Sequence, residues 1–307
     1  MKIEDPNWPT AAQWLAGEFS QASPASLAIL GVPLNVSVTP GRCDLAPAAI
    51  RSALERYSLN DVDAAANVAN LGDLAVKDCG DLEFAQPLSE NAFEQAVGLI
   101  RETGAKTPAM VLLGGDNSVT RLGVSALSLP LAECGLLTFD AHHDVRSLDQ
   151  GLHSGNPVRA LLEDGLPGKN IVQIGIQPFT NSPVYSAFAR DAGITVITAG
   201  EVFSQGIENV VAKALAYLAP NTDAVYVDLD LDVLDRAYAP ACPGSRPGGL
   251  PPWMLRRAMR ICGKAPIVRM MDIVEIDPGK DIADATSLAA ASFLLAFASG
   301  LTHRLKS

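Results

Sequence analysis

Residues 224–231 read AVYVDLDL, an apolar run of strand length that ends in carboxylates. Other runs of similar length are also continuous and aliphatic instead of alternating with polar residues. Continuous runs are typical of strands in a parallel sheet whose two faces are both covered by helices. The predicted strands are Ser26–Leu34, Ala109–Leu113, Gly135–Phe139, Ile171–Ile176, Ile194–Thr198, Ala224–Leu231 and Ile267–Ile276.

Stretches of helical period lie between these runs. In residues 46–57, apolar side chains recur at positions i, i+3 and i+4, which is the pattern of an amphipathic helix. Similar patterns occupy residues 90–103, 155–164, 183–192, 206–218, 252–262 and 285–300. The alternation of strand and helix predicts an α/β sandwich with a mostly parallel sheet. Since no linker, repeat or composition shift interrupts it, we expect a single domain over residues 1–307.

Composition and charge narrow the class of protein. Hydrophobic residues make up 48% of the chain and charged residues 19%, so a large core is expected and disorder is not. The 23 basic and 34 acidic residues give a net charge of −11, which argues against nucleic acid or a membrane surface as partner. Five scattered cysteines without a CxxC pair indicate reduced thiols in a cytoplasm. The most apolar tract, residues 288–301, is predicted to be too short to span a bilayer.

Two acidic clusters follow predicted strands, at residues 140–144 (DAHHD) and 228–235 (DLDLDVLD). In an extended chain residues two apart share a face, so the charged side chains converge while Ala141 and His143 point away. A solvated loop or a helix N-cap is the alternative for either cluster alone. The converging side chains are Asp140, His142 and Asp144 in one cluster, and Asp228, Asp230 and Asp232 in the other.

Like charges at the end of a buried strand are costly unless a cation neutralises them. Neither acidic run contains a lysine or an arginine, so a metal ion is the expected cation. Oxygen ligands with one imidazole suit Mn²⁺ or a similar divalent ion. The number of carboxylates predicts a pair of metal ions, which would bridge and deprotonate a water for attack on a planar carbon.

Four motifs, in order and spacing, resemble the signatures of the ureohydrolases, the arginase, agmatinase and formimidoylglutamase family of binuclear manganese amidine hydrolases. They are GGDNS (114–118), DAHHD (140–144), VDLDLDVLDRAYAPACPGSRPGG (227–249) and DIVEIDP (272–278). The resemblance runs from about Gly31 through Asp277. It implies a three-layer α/β/α sandwich with a central, mostly parallel sheet. It also implies that Glu275 holds the cationic amidine or guanidinium of the substrate.

The resemblance further implies a ligand set for two Mn²⁺ ions, with Ni²⁺ or Co²⁺ as alternatives. Asp140 and Asp230 resemble the carboxylates that the two metals share. His142 and Asp232 resemble ligands of one metal, and Asp144 a ligand of the other.

The sequence departs from the family pattern at Asn117, where GGDHS has a metal-ligating histidine. An amide oxygen can ligate Mn²⁺, but it is uncharged and weaker than imidazole. Asn117 is therefore either a weaker metal ligand or the mark of a member that has lost catalysis. Some bacterial formimidoylglutamases resemble this sequence here, with GGDN, which favours hydrolysis of N-formimidoyl-L-glutamate to L-glutamate and formamide. The alternative is an agmatinase or guanidino-acid ureohydrolase that releases urea.

The loop at residues 151–157 differs as well. Arginases have a histidine directly before the glycine of an HGxP stretch, whereas here Ser154 has that place and His153 precedes it. His153 is expected to be either the general acid or a loop residue without a role.

Arg146 lies where arginases have a residue that reads the amino-acid end of the substrate, and Arg246 and Asn156 are expected to join it. Arginines favour a substrate with carboxylates. The expected partners are a small amidine and further copies of the chain, since members of the family are commonly trimers or hexamers.

Overall fold

The structure is a computed structural model, and it describes residues 5, 7–19, 24–62, 69–83 and 89–306. Within these residues there are ten strands and ten α-helices. The strands are β1 (Leu27–Val32), β2 (Asn60–Asp61), β3 (Ala69–Asn70), β4 (Val76–Asp81), β5 (Ala109–Gly114), β6 (Cys134–Phe139), β7 (Ile171–Ile176), β8 (Thr195–Thr198), β9 (Ala224–Leu229) and β10 (Val268–Ile273). The helices are α1 (Ala11–Leu15), α2 (Ala46–Ala53), α3 (Glu90–Gly104), α4 (Val119–Ser125), α5 (Pro157–Asp164), α6 (Pro183–Asp191), α7 (Ala199–Gln205), α8 (Ile207–Leu218), α9 (Pro252–Lys264) and α10 (Ala285–Lys306).

Eight strands form one sheet in the order β4-β1-β5-β10-β9-β6-β7-β8, and every neighbouring pair is parallel. The two-residue strands β2 and β3 form a separate antiparallel pair. The strands that precede the four motifs, β5, β10, β9 and β6, are consecutive in the sheet. Because the carboxyl ends of parallel strands meet at one edge, the four motif loops meet there as well.

Alternate side chains of each strand pack into two separate cores. On β5, Val111 and Leu113 join the core formed with α2, α8, α9 and α10, whereas Met110 and Leu112 join the core formed with α3, α4, α5 and α6. This alternation follows from the two-residue repeat of a strand. The predicted three-layer α/β/α sandwich with a parallel central sheet is therefore confirmed.

The predicted strands are all present, but some end earlier than expected. Strand β9 ends at Leu229, two residues before the end of the predicted strand, because a 3₁₀ turn over Leu231–Val233 begins after Asp230. The edge strand β4 was missed, since its sequence VKDCGD is polar and partly exposed. The short helices α1 and α7 were also missed.

The tract predicted to be too short for a bilayer is part of α10, which has 22 residues. By length and composition α10 could cross a membrane, but 83% of its most apolar window is buried inside the protein. Gly263 of α9 and Gly300 of α10 allow close packing, because a Cβ at Gly300 would lie 2.1 Å from the carbonyl oxygen of Arg260. The helix is apolar on all sides because it is a core helix.

Candidate active site

Two groups of side chains that could hold a metal ion share Asp140 at the carboxyl edge of the sheet. Within each group, the candidate ligand atoms lie within 4.8 Å of one another. The first group, the His142 subsite, consists of Asp140, His142 and Asp232. The second, the Asp144 subsite, consists of Asp140, Asp144 and Asp230. Two adjacent sites that share one carboxylate have the arrangement of a binuclear centre.

Two acidic side chains at this edge depend on unusual backbone conformations. Asp144 and Glu275 have φ angles of 52° and 67°, in the left-handed region that non-glycine residues seldom adopt. The N–H of Glu275 donates to the carbonyl of Gly115 at 2.9 Å, and its carboxylate accepts from the N–H of Asn117 at 3.0 Å. These bonds hold the strained turn, so that the Glu275 carboxylate faces the subsites.

Burial and mutual repulsion dominate the electrostatics of the centre. Burial, with a smaller effect of the Asp232 carboxylate, raises the pKa of Asp140 to about 7. Burial and neighbouring carboxylates also raise the pKa values of Asp144 and Asp230 well above the ordinary value. The Asp232 carboxylate, 2.6 Å from the imidazole Nδ1, raises the pKa of His142 to about 12.

Within the described chain, no lysine or arginine forms an ion pair with the carboxylates of the Asp144 subsite. A divalent cation would supply the positive charge that this buried acidic group lacks. The donor set therefore fits two divalent ions.

Asn117 lies beside the Asp144 subsite and is 1% exposed. Its Nδ2 donates a short hydrogen bond to the Asp144 carboxylate and lies 3.4 Å from an oxygen of Asp140. Its Oδ1 lies 2.8 Å from the hydroxyl of Thr120. The structure thus brings this predicted ligand to the centre with its amide nitrogen facing the carboxylates.

Two side chains of the acidic motifs lie outside the subsites. His143 points away as predicted, with Nδ1 2.7 Å from the amide oxygen of Gln173. Asp228 belongs to neither subsite, because it lies within β9, two residues before Asp230 and deeper in the sheet. Burial, and then the neighbouring Asp272 carboxylate, raise the pKa of Asp228 well above its ordinary value.

A cavity of about 240 Å³ opens over the two subsites. Its inner end, which we call the floor, is acidic and buried. Its outer end, the mouth, carries the exposed side chains of Arg146 and Arg246. Arg246 donates to the carbonyl oxygens of residues 243–245, and among the described residues neither guanidinium pairs with a carboxylate. The acidic side chains of the floor are Asp144, Asp230, Asp232 and Glu275.

Two predicted site residues support the loop beside the cavity instead of lining it. Asn156 is fully buried, and its Nδ2 donates to the carbonyls of Ser147 and Gly151 at 3.1 and 2.9 Å. His153 accepts the N–H of Gly155 at its Nδ1, at 3.1 Å. The adjacent residues 154 and 155 line the cavity in its place. The structure therefore gives Asn156 a role in loop shape and leaves His153 one residue from the wall.

Two stretches of the wall were missed from the sequence, residues 37–39 after β1 and residues 180–182 after β7. Thr180 and Asn181 also donate to the carbonyl of Ala141, at 2.8 and 3.0 Å, and so hold the DAHHD loop. Both stretches follow strands of the parallel sheet. The rule that ligands bind at the carboxyl edge would have identified them once the strand order was known.

Comparisons with known proteins agree with this geometry. The family model described as the arginase family matches residues 25–299. The chain is 36% identical to a formimidoylglutamase of Halalkalibacterium halodurans, over 89% of this chain and 86% of that protein. It is 33% identical to the formimidoylglutamase of Bacillus subtilis strain 168, over 87% and 85%. A crystal structure of formimidoylglutamase from Bacillus subtilis superposes with a TM-score of 0.88 at 28% identity, over 98% of this chain and 95% of that one. The chain belongs to the arginase family.

Proposed function

We propose that this protein is a metal-dependent hydrolase that converts N-formimidoyl-L-glutamate and water to L-glutamate and formamide. The observation that carries the proposal is the charge separation along the cavity, with an acidic floor and, at the mouth, two arginines that pair with no carboxylate of the described residues. The substrate has the complementary pattern, because a cationic amidine stands at one end and two carboxylates at the other. The similarity to two formimidoylglutamases supports the same substrate.

The metal proposed for the two subsites is Mn²⁺, with Co²⁺ and Ni²⁺ as alternatives. Carboxylates, one imidazole and one amide form an oxygen-rich donor set of the kind that Mn²⁺ accepts. Two bound divalent ions would offset the buried negative charge and activate a water for attack on the amidine carbon. Asp140 and Asp230 would be shared, His142 and Asp232 would belong to one ion, and Asp144 and Asn117 to the other.

The floor would orient the amidine. Glu275 uses Oε1 to accept from the N–H of Asn117, which leaves Oε2 for a substrate N–H. Burial, and then the Asp116 carboxylate, raise the pKa of Glu275 well above its ordinary value. A cationic amidine would therefore stabilise the ionised form of this buried carboxylate and bind beside it. The planar carbon would then be held above the subsites.

The mouth would select the tail of the substrate. A guanidinium binds a carboxylate through two parallel hydrogen bonds. Arg146 has no partner among the described side chains, and Arg246 bonds only to backbone carbonyls of its own loop. Both can therefore bind substrate carboxylates without breaking an ion pair. Agmatine carries no carboxylate and would place a second cation against them.

Product identification by NMR tests the proposal. Mn²⁺-loaded protein is incubated separately with formimidoylglutamate, agmatine, 4-guanidinobutyrate and arginine, and an Asp230→Asn preparation serves as the blank. We expect formamide from the first substrate alone. Urea from another substrate would contradict the assigned substrate and keep the reaction class. If Mn²⁺, Co²⁺ and Ni²⁺ preparations all give no product from any of the four, Asn117 marks a member without this activity.

We also propose a cytoplasmic homo-oligomer, a trimer or hexamer, that serves histidine catabolism. The five cysteines are all free, which fits a reducing compartment. Sedimentation equilibrium of the metal-loaded protein measures the number of subunits, and a monomer would contradict this part of the proposal.

A further inference from the structure

A buried polar network lies behind the Asp144 subsite, on the side away from the cavity. It runs from Asn117 through the hydroxyl of Thr120 to the carboxylate of Asp272. Thr120 Oγ1 lies 2.8 Å from Asn117 Oδ1 and 3.0 Å from Asp272 Oδ2. The hydroxyl of Tyr226 contacts the same Asp272 oxygen at 2.9 Å. All four side chains are at most 1% exposed, so water does not complete their hydrogen bonds.

The hydroxyl of Thr120 faces two acceptors but has one proton. Donors surround both oxygens of Asp272, which is the environment of an ionised carboxylate that can only accept. Asp272 therefore takes the proton of Thr120, together with the Tyr226 hydroxyl and the N–H of Leu229. The oxygen of Thr120 is then left with lone pairs towards Asn117. This contact requires an N–H of Asn117, not its carbonyl oxygen.

Rotation of the Asn117 amide by 180° satisfies Thr120 and has a second consequence. It places Nδ2 against Thr120 and moves Oδ1 to the position beside the carboxylates of Asp144 and Asp140. Three oxygens together repel one another unless a cation lies between them. The carbonyl oxygen is also the amide atom that ligates a hard metal ion. The rotated amide is thus unfavourable without a metal and favourable with one.

We propose that Thr120 is a positioning residue for the Asp144 subsite: anchored on Asp272, it accepts from Nδ2 of Asn117 and so presents Oδ1 to the metal ion. This inference rests on the metal centre proposed above. The His142 subsite makes no contact with Thr120. Loss of the hydroxyl therefore weakens one of two metal sites, whereas general damage to the fold weakens both.

Titration of metal-free protein with Mn²⁺ tests the inference, with calorimetry for affinity and electron paramagnetic resonance for the number of bound ions. We expect two sites in the wild-type protein. Thr120→Val, which keeps the shape and removes the hydroxyl, weakens one site by about 10- to 100-fold, the usual effect of removing a group that orients a metal ligand. The other site keeps its affinity. Thr120→Ser restores both.

Two further variants separate orientation from packing. Tyr226→Phe removes a different donor to the same Asp272 oxygen without touching Asn117, and we expect both sites to keep their wild-type affinity. In an Asn117→His background, Thr120→Val changes neither affinity by more than about threefold, because imidazole ligation does not depend on which end of an amide faces the metal. Thr120→Ala, judged by cooperative unfolding of the metal-free protein, replaces Thr120→Val if the latter does not fold.

Three results would overturn the inference. They are a Thr120→Val protein that matches wild type at both sites, a Thr120→Val protein that weakens both sites equally, and a Tyr226→Phe protein that reproduces the effect of Thr120→Val. In each case the wild-type protein still binds two ions and the metal centre stands. A wild-type protein that binds no Mn²⁺, Co²⁺ or Ni²⁺ would instead overturn the metal centre, and the role of Thr120 with it.

Discussion

The floor and the mouth of the cavity carry opposite charge and are built in opposite ways. In the floor, Asp230 and Asp232 are each 3% exposed, and their positions are fixed by strand ends and a 3₁₀ turn. In the mouth, Arg146 and Arg246 are exposed and belong to loops. A charge shielded from water interacts far more strongly than one in water. In the proposed function, the floor would therefore govern whether the protein reacts at all, and the mouth would govern which substrate it prefers.

Asp230→Asn should break the floor and has the largest expected effect. Loss of one partner from a buried ionic contact costs about 3–5 kcal/mol, so kcat/KM should fall by about 10²- to 10⁴-fold. In contrast, the free energy of unfolding of the metal-free protein should rise by on the order of 1 kcal/mol, because the variant removes one of several buried like charges. Activity assays and urea unfolding of EDTA-treated protein measure the two quantities.

Asp149 is exposed, so Asp149→Asn is the matched control and should alter neither kcat/KM nor the free energy of unfolding. If Asp230→Asn lowered both activity and metal-free stability, the carboxylates of the floor would not be repelling one another.

Metal removal should cost more stability as pH rises. In the metal-free fold, burial raises the pKa of Asp140 to about 7, from an ordinary value of 3.8. The folded protein therefore binds more protons than the unfolded chain between these pH values, and its free energy of unfolding falls as pH rises through them. The charge of Asp232 raises the pKa of His142 to about 12, from an ordinary value of 6.5. The free energy of unfolding therefore also falls as pH rises above 6.5. Bound metal ions displace these protons, so the free energy of unfolding of the metal-loaded protein does not fall with pH in this way.

The measurement is the difference in Tm between Mn²⁺-loaded and EDTA-treated protein from pH 5.5 to 8.5. We expect the difference to widen steadily with pH. A difference that is constant over this range would show that the carboxylates ionise without repulsion, and the floor would then not need a cation.

The floor was more predictable from sequence than the mouth, for a physical reason. A carboxylate at the end of a buried apolar run can be recognised from the adjacent sequence, so Asp140, Asp144 and Asp230 could be predicted as candidate ligands from DAHHD and DLDLDVLD alone. The two-residue repeat did not separate Asp228 from Asp230, because both share one face of the chain, whereas Asp228 lies one repeat further inside β9 and outside both subsites. The hydrogen bond between Thr120 and Asp272 could not be predicted from the sequence, since it joins residues 152 positions apart.

The walls near the mouth depend on strand order, which no local pattern encodes. Residues 37–39 and 180–182 meet only because β1 and β7 end at the same edge of the sheet. Asn156 was expected to join Arg146 in binding the substrate, but its amide donates to backbone carbonyls of its own loop.

Arg146→Ala should change the mouth and leave the floor intact. A hydrogen-bonded contact with a charged group contributes about 1.5–3 kcal/mol, so KM for formimidoylglutamate should rise by about tenfold or more with little change in kcat. N-butylformamidine, which has no carboxylate, should be hydrolysed equally by the variant and the wild type. Steady-state kinetics with both substrates measures this difference.

Arg190→Ala is the control, because Arg190 is exposed and pairs with Asp191 on α6. A loss of kcat in Arg146→Ala, or an equal loss with N-butylformamidine, would contradict a role confined to the substrate tail.

His153→Asn should have the smallest effect, although His153 lies beside the mouth. Burial, and then the charge of Arg146, lower the pKa of His153, so the imidazole is uncharged at neutral pH. Its Nδ1 is occupied by the N–H of Gly155, a bond that the Asn side-chain oxygen can accept instead. A general acid contributes about 10²- to 10⁴-fold, whereas we expect kcat to fall less than tenfold. A larger fall, with loss of a group from the pH profile of kcat, would make His153 the proton donor to the leaving amine. The Arg146→Ala variant provides the link between the two residues, because removal of that charge should raise the pKa of His153 in an NMR titration.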